Sequence, residues 1–244
     1  MSLDQHYVNP RLVELYDLDS GWSEDRDYYL SLADGPGKRV LDLGCGTGLL
    51  CNAYAKNGHD TTGVDPSEHM LEAGRNKSHG DKIEWVLATS QDFKSDKQFD
   101  LIIMTGHAFQ VLLTQEDVLE TFKTMKDHIK SGGTIAFESR NPQIDWKRIW
   151  DYELELETPN CKVTESRRFL SMHEGRMKFG LTYQFPQETL TSTSELRFFS
   201  LKEIEYLLRV AGLSIKNLYG DWNKSNFVQS TSEEMIFEVE KIGG

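Results

Sequence analysis

Short apolar runs and helical repeats follow one another along the first 140 residues. Apolar runs typical of buried strands occupy residues 39–43, 60–64, 83–87, 99–104 and 134–139. Apolar residues at helical spacing lie between these runs, over residues 49–55, 67–77 and 115–129. The run at 99–104 has almost no polar alternation, as expected of a strand that is buried on both faces. This order of elements predicts an α/β protein with a doubly wound, parallel sheet.

The pattern changes between Arg140 and Arg197. Residues 152–157 alternate between polar and apolar, residues 167–185 predict two strands around a His-Glu-Gly-Arg turn, and residues 189–199 predict another strand. A helix at 201–211 and strands at 214–219 and 234–239 then return the chain to the first sheet. We therefore expect a single domain over residues 1–244 with an inserted β-rich substrate lid at 141–197.

Amphipathic helices are also expected before the first strand. Leu12, Leu15 and Tyr16 fall on one helical face, and Gly-Pro-Gly at 35–37 ends the segment. Residues 1–37 are thus predicted to form a helical cap.

The charge of the chain narrows the expected partners. Its 244 residues include 27 Lys and Arg and 39 Asp and Glu, which gives a formal net charge of −12. A chain this acidic is poorly suited to nucleic-acid phosphates or anionic membranes. No apolar run approaches the roughly 20 residues of a membrane span, and the N-terminus lacks the pattern of a secretory signal. We expect a cytoplasmic protein without nucleic-acid or membrane partners.

Cysteine usage bears on metal sites and disulfides. The three cysteines, Cys45, Cys51 and Cys161, form no CxxC pair. Their number and spacing argue against a disulfide framework and against a thiolate zinc site, and we expect no metal.

The strongest chemical signal lies where the first strand meets the first long helix. Residues 40–48 are VLDLGCGTG. Glycines allow the backbone to approach a ligand closely, and the following helix N-terminus offers free N–H groups. A nicotinamide-binding turn would need a third glycine at position 49, which is Leu49. The spacing therefore disfavours an NAD-dependent oxidoreductase.

Asp65 ends the second predicted strand, 21 residues after Gly44. A carboxylate at this position can accept hydrogen bonds from both ribose hydroxyls of an adenosine. The alternative is that Asp65, which precedes Pro66, only caps a helix or a turn.

VLDLGCGTG, followed by GVDPS, ML and FDLII, resembles the class I S-adenosylmethionine-dependent methyltransferases over residues 38–140. The ending RFFSLKEIEYLLRVAGLSIKNLYGDW is similar to the last helix and hairpin strand of the same fold. The resemblance implies a seven-stranded Rossmann-like methyltransferase sheet. It also implies S-adenosylmethionine as cofactor and S-adenosylhomocysteine as product.

The resemblance further implies a set of cofactor-binding residues. They are Tyr16, Asp42, Gly44, Cys45, Gly46, Asp65, Pro66, Met70, Thr89, Ser90, Gln91 and Met104. In the family, an Asp after the third strand often binds the adenine amine, but here Thr89 occupies that position. Whether Thr89, Gln91 or Asp92 binds the amine is left open by the sequence.

His107 and Arg140 are the candidates for catalysis and substrate binding. His107 follows the fourth strand and serves either as a general base or as a packing residue. Arg140 ends the fifth strand, where a cation can bind a substrate carboxylate or form a salt bridge with glutamates of the insertion. Arg167 and Arg168 are expected to face solvent. Further candidates for the acceptor pocket are Asn141, Trp146, Trp150, Tyr183, Arg197 and Trp222.

The function predicted from these residues is methyl transfer to a small-molecule acceptor by in-line displacement, with the accepting atom (N, O or C) undefined. Thr-Gly-His-Ala after the fourth strand differs from the Asn-Pro-Pro-Tyr type of nucleic-acid methyltransferases. The alternatives are a non-catalytic module that binds S-adenosylmethionine or S-adenosylhomocysteine and, disfavoured by Leu49, an NAD-dependent oxidoreductase. A monomer or a homodimer is expected.

Overall fold

The computed structural model describes residues 3–243, so residues 1, 2 and 244 of the predicted domain lie outside the described part. The helices are α1 (Gln5–Val8), α2 (Pro10–Asp19), α3 (Glu24–Ser31), α4 (Leu49–Lys56), α5 (Glu68–Arg75), α6 (Gln115–His128), α7 (Trp146–Ile149) and α8 (Leu201–Ala211). The strands are β1 (Arg39–Leu43), β2 (Asp60–Asp65), β3 (Ile83–Leu87), β4 (Phe99–Met104), β5 (Ile129–Arg140), β6 (Tyr152–Glu157), β7 (Lys162–His173), β8 (Arg176–Gln184), β9 (Thr189–Arg197), β10 (Leu213–Tyr219) and β11 (Glu234–Lys241).

Seven strands form a central sheet in the order β10-β11-β5-β4-β1-β2-β3. The first five strands along the chain run parallel, whereas β11 is antiparallel to β5 and β10 is antiparallel to β11. The predicted seven-stranded, doubly wound sheet is confirmed. Its two closing strands make it a mixed sheet rather than a wholly parallel one.

Both faces of the central sheet are buried, which explains the apolar run at residues 101–104 of β4. Ile102 and Met104 belong to the core that α6 and α8 cover. Leu101 and Ile103 belong to the core on the opposite face, which α3 and α4 cover. Because successive side chains of a strand point to opposite faces, these four residues enter two apolar layers in alternation, whereas Asp100 pairs with Lys130.

The boundaries of α6 and α8 follow from local capping. Thr114 and Ser200 each form a capping box with the acidic residue three positions later, Asp117 and Glu203. Gly212 ends α8 in the left-handed conformation, with a φ of 80°.

Strands β6 to β9 form a separate antiparallel sheet of four strands, here called the inserted sheet. Its inner face presents Val163, Met177 and Leu181, which pack with Leu12 and Leu15 of α2. The extra antiparallel layer expected after the fifth strand is therefore present. No helix within residues 3–243 has the length and apolar character needed to cross a membrane.

One side chain contacts both segments of the chain that connect the central sheet to the inserted sheet. Gln110 lies in the short turn of 3-10 helix after β4 and is fully buried. Its Oε1 accepts a hydrogen bond of 3.0 Å from Arg140 at the end of β5, and its Nε2 donates one of 3.3 Å to the carbonyl of Arg197 at the end of β9. The ends of β5 and β9, where the chain leaves the central sheet and later leaves the inserted sheet, both lie beside this amide.

Candidate active site

The backbone of the glycine-rich loop after β1 disfavours a side chain at two of its positions. Gly44 and Gly46 have φ values of +75° and +53°, in the region that glycine adopts without strain. A Cβ at Gly44 would lie 2.9 Å from Cβ of Ala108, and one at Gly46 would lie 3.6 Å from the Tyr16 ring. The loop therefore presents bare backbone between Ala108 and Tyr16, as a site that binds a ligand through backbone groups requires.

Asp65 ends β2 directly beside this loop. Its Oδ2 accepts a hydrogen bond of 2.9 Å from the N–H of Gly46, and its Oδ1 accepts one of 2.8 Å from the N–H of Ser67. Burial raises the pKa of Asp65 to about 6, although both N–H groups act in the opposite direction. Each carboxylate oxygen has a second lone pair for a ligand hydroxyl.

Helix α2 lies across the glycine-rich loop. Tyr16 covers Gly46, and burial raises the pKa of its hydroxyl to about 12. The carboxylate of Asp17 accepts hydrogen bonds from the Thr47 hydroxyl in the loop and from Lys77 beyond α5. The N-terminal helix is thus tied to both sides of the predicted cofactor site.

Asp42 and Cys45 differ in position and in burial. Cys45 is half-buried, whereas Asp42 lies within β1 and is buried. Asp42 Oδ2 accepts a hydrogen bond of 3.5 Å from the Cys51 thiol, and its Oδ1 has no partner among the described residues. Burial raises the pKa of Asp42 to about 7. Asp42 therefore contacts α4 through Cys51.

The residues predicted around the adenine lie at the ends of β2, β3 and β4. Pro66 is exposed, whereas Met70 and Met104 are buried. The Thr89 hydroxyl donates to Asp92 at 2.7 Å. Ser90 and Thr121 are linked through their hydroxyls, and Gln91 is half-buried beside them.

A cavity of about 820 Å³ opens between α2, the residues after β4 and the inserted sheet. Of the predicted acceptor residues, it is lined by His107, Arg140, Trp150, Tyr183 and Trp222. Three others lie away from it and make structural contacts instead. Asn141 donates to the carbonyl of Gln229 at 2.9 Å, Trp146 donates to the carbonyl of Asn141 at 2.7 Å, and Arg197 donates to the carbonyl of Glu174.

His107 lies in this cavity between two glutamates that the sequence analysis missed. It adopts a left-handed conformation with a φ of 61°, which is uncommon outside glycine. Its backbone N–H donates to Glu138 Oε1 at 2.6 Å, and its Nε2 lies 2.9 Å from Glu234 Oε1. Glu138 also accepts from the Tyr29 hydroxyl, and burial raises its pKa. An acid at the end of the apolar run in β5 was the available signal for Glu138.

Arg140 and Arg167 both face the cavity. Arg140 forms no ion pair within the described chain, so the expected alternative of a salt bridge with glutamates of the insertion is wrong. Burial lowers its pKa to about 10, which leaves it charged at neutral pH. The expectation that Arg167 faces solvent is also wrong. Arg167 shares the inner face of β7 with Val163 and Glu165, because these residues are two positions apart.

Glu165 is a second missed acid of the cavity. It is 1% exposed, and its Oε1 accepts a hydrogen bond of 2.5 Å from the Tyr152 hydroxyl. Its Oε2 has no partner in the part of the chain that the structure describes. Burial raises the pKa of Glu165 to about 7.

Comparison with known proteins agrees with this geometry. Residues 40–133 match a family model described as a methyltransferase domain. The cypemycin N-terminal methyltransferase of a Streptomyces species is 26% identical over 209 residues, which are 84% of each chain.

Two solved structures share the fold. An S-adenosylmethionine-dependent methyltransferase from Clostridium acetobutylicum superposes with a TM-score of 0.77 at 18% identity, over 96% of this chain and 98% of the other. An aminopentose methyltransferase from Micromonospora echinaspora with bound S-adenosylmethionine has a TM-score of 0.69 at 18% identity, over 93% of this chain and 96% of the other. The sequence match and the fold agree with the loop geometry, and together they support a class I methyltransferase that uses S-adenosylmethionine.

Proposed function

We propose that this enzyme transfers a methyl group to an N–H or O–H group of a small molecule bound in the 820 Å³ cavity. The main support for the proposal is that one residue borders both the glycine-rich loop and the cavity. Tyr16 covers Gly46 of the glycine-rich loop and also lines the cavity. A ligand on the loop and a ligand in the cavity would therefore be neighbours, as in-line transfer requires.

The residues beside the loop fit S-adenosylmethionine, which supplies an activated methyl group on its sulfonium when bound. Gly44 and Gly46 carry no side chain that would keep the cofactor from the loop backbone, and Asp65 offers lone pairs to ribose hydroxyls. The remaining predicted cofactor contacts, from Tyr16 to Met104, form part of the same proposal. Asp42 is buried and would act indirectly, through its contact with Cys51 of α4.

His107 is assigned to accept the proton that the acceptor loses. Glu234 binds Nε2 at 2.9 Å, which leaves Nδ1 without a partner among residues 3–243. A carboxylate on one ring nitrogen fixes the orientation and the tautomer of the imidazole. Nδ1 of His107 would take up the N–H or O–H proton as the acceptor atom displaces S-adenosylhomocysteine from the methyl carbon.

The N-terminal cap and the inserted sheet exclude water from the acceptor in this proposal. Residues of the cap (1–37) and of the inserted sheet supply most of the cavity wall, including Leu15, Phe179 and Leu196. The aminopentose methyltransferase of similar fold supports a small-molecule acceptor.

Thermal unfolding with separate additions of S-adenosylmethionine, S-adenosylhomocysteine and NAD tests the donor site. A ligand at 100 times its Kd adds about 2.7 kcal/mol, and each kcal/mol raises the midpoint of a chain this size by about 2–4 °C. We expect a shift of several degrees with the two sulfur nucleosides only. Release of S-adenosylhomocysteine over a panel of amines and alcohols then tests transfer. A shift with NAD alone, or no turnover with any acceptor, would contradict the proposal.

A further inference from the structure

Two arginines of the cavity lack the carboxylate partner that a buried guanidinium normally has. No carboxylate oxygen of residues 3–243 lies within 4.0 Å of a guanidinium nitrogen of Arg140 or Arg167. Arg26, on the same cavity wall, is by contrast paired with Asp25 at 3.1 Å. A buried charge without a partner costs several kcal/mol, so this pair requires an explanation.

The acids near the two arginines form hydrogen bonds with other groups, although Glu165 Oε2 and Glu234 Oε2 have no partner among the described residues. Glu234 and Glu138, whose charges act on Arg140, both bind His107. Glu165, whose charge acts on Arg167, accepts a hydrogen bond from Tyr152. These contacts leave the guanidinium groups free to bind another anion.

Both guanidinium groups lie against one aromatic ring. The Cζ atoms of Arg140 and Arg167 are 5.0 and 4.2 Å from the centre of the Trp150 ring. Such contacts orient guanidinium planes and leave their edge N–H groups for hydrogen bonds.

Few of the guanidinium N–H groups of Arg140 and Arg167 form hydrogen bonds. Arg140 donates through Nη1 to Gln110, and Arg167 donates through Nε to the Trp150 carbonyl. Within the described residues the other guanidinium N–H groups have no acceptor, and the buried Nε1 of Trp150 has none either. The patch therefore has an excess of N–H donors, while the charges of nearby acids, among them Glu165 and Glu234, also act on the two arginines.

We propose that Arg140 and Arg167 form an anion-binding subsite of the acceptor cavity, and that the methyl acceptor carries a carboxylate or phosphate group. The inference rests on the proposed function, because it assigns the cavity to the acceptor. Arginine binds both groups through two parallel N–H···O contacts, so either anion satisfies the donors of this patch.

Isothermal titration of the full chain with benzoate, phenyl phosphate and benzamide tests the subsite. Benzamide has the shape of benzoate without its charge. We expect at least one anionic probe to bind about tenfold or more tightly than benzamide, because hydrogen bonds to charged groups contribute about 1.5–3 kcal/mol each. The preferred anion distinguishes a carboxylate-bearing from a phosphate-bearing acceptor. Equal binding of all three probes would overturn the proposal.

Single substitutions assign the binding to the two arginines. Arg140→Gln and Arg167→Gln should each weaken binding of the anionic probe about tenfold or more. Arg168→Gln is the matched control, because Arg168 is exposed on the same strand and is paired with Glu153 at 3.1 Å. If Arg140→Gln fails to fold, binding of the anionic probe by Arg167→Gln alone tests the subsite. Binding of wild-type strength in Arg167→Gln would contradict the subsite.

Titrations with and without S-adenosylhomocysteine separate this inference from the proposed function. Arginine-dependent anion binding in a chain that does not bind S-adenosylhomocysteine would support the subsite and contradict the methyl-transfer role of the cavity. Binding of S-adenosylhomocysteine without any preference for anions would contradict the subsite and leave the methyl-transfer role of the cavity supported.

Discussion

Asp65 Oδ2 accepts a hydrogen bond of 2.9 Å from the backbone N–H of Gly46, which joins the end of β2 to the glycine-rich loop. Asp65→Ala should weaken binding of S-adenosylmethionine by about 2–3 kcal/mol, roughly 30- to 150-fold, because a charged acceptor is lost. Isothermal titration measures this change. Asp60→Ala is the control, since Asp60 is an exposed residue at the other end of β2. An equal loss in both variants would contradict a specific role for Asp65.

His107→Ala should lower kcat by about 10²-fold or more on a true acceptor, as expected for loss of a general base. The Kd of S-adenosylmethionine should stay within about twofold, because His107 contacts Glu138 and Glu234 rather than the glycine-rich loop. His173→Ala, at a site that is 87% exposed, is the control. An unchanged kcat in His107→Ala would leave only the packing role for this residue.

Asp17→Ala should loosen the attachment of α2, because Asp17 binds both Thr47 and Lys77. We expect S-adenosylhomocysteine to bind roughly three- to tenfold more weakly, from hydrogen bonds of about 1 kcal/mol. Cleavage by trypsin after Arg11 should become faster. The control is Glu14→Ala, an exposed position of the same helix. If both variants bind and resist trypsin like the wild type, α2 does not depend on this contact.

Asp42→Asn should change how stability depends on pH. The folded protein holds the Asp42 proton up to about pH 7, against an ordinary pKa of 3.8. The carboxyl group thus stabilises the fold fully below about pH 4, and this contribution is lost as the pH rises through 7. Relative to Asp42→Asn, the wild type should lose up to about 4 kcal/mol of unfolding free energy over this window.

Urea unfolding between pH 4 and 8 measures the effect of Asp42. Asp60→Asn, at an exposed carboxylate, should follow the wild type across this range. A constant difference between Asp42→Asn and the wild type would show that the Asp42 carboxyl group titrates normally.

The central sheet was predictable because its signals are local. The glycine-rich loop at 44–48 stands between an apolar strand and a helical repeat, and Asp65 follows an apolar run at a fixed distance. These features depend on neighbouring residues only. The antiparallel pairing of β11 with β5 was not visible, because strand direction depends on contacts between residues about 100 positions apart.

The acceptor cavity was less predictable, because polar residues on its walls break the rule that buried faces are apolar. Glu165 and Arg167 alternate with Thr164 and Ser166 along β7, so the pattern does not reveal which face is covered. The missed Glu234 reaches His107 across a sequence separation of 127 residues. Such a pair becomes visible only after β11 is placed beside β5.

The buried amide of Gln110 has a consequence for how enzymes of this shape diverge. The chain turns toward the inserted sheet after Arg140 and leaves it after Arg197, and both residues form hydrogen bonds with Gln110. A foreign insertion grafted between these two residues would meet the same junction, while β1, β2 and the glycine-rich loop stayed unaltered. Under the proposed function, evolution could therefore exchange the inserted sheet that lines the acceptor cavity and retain the glycine-rich loop assigned to the methyl donor.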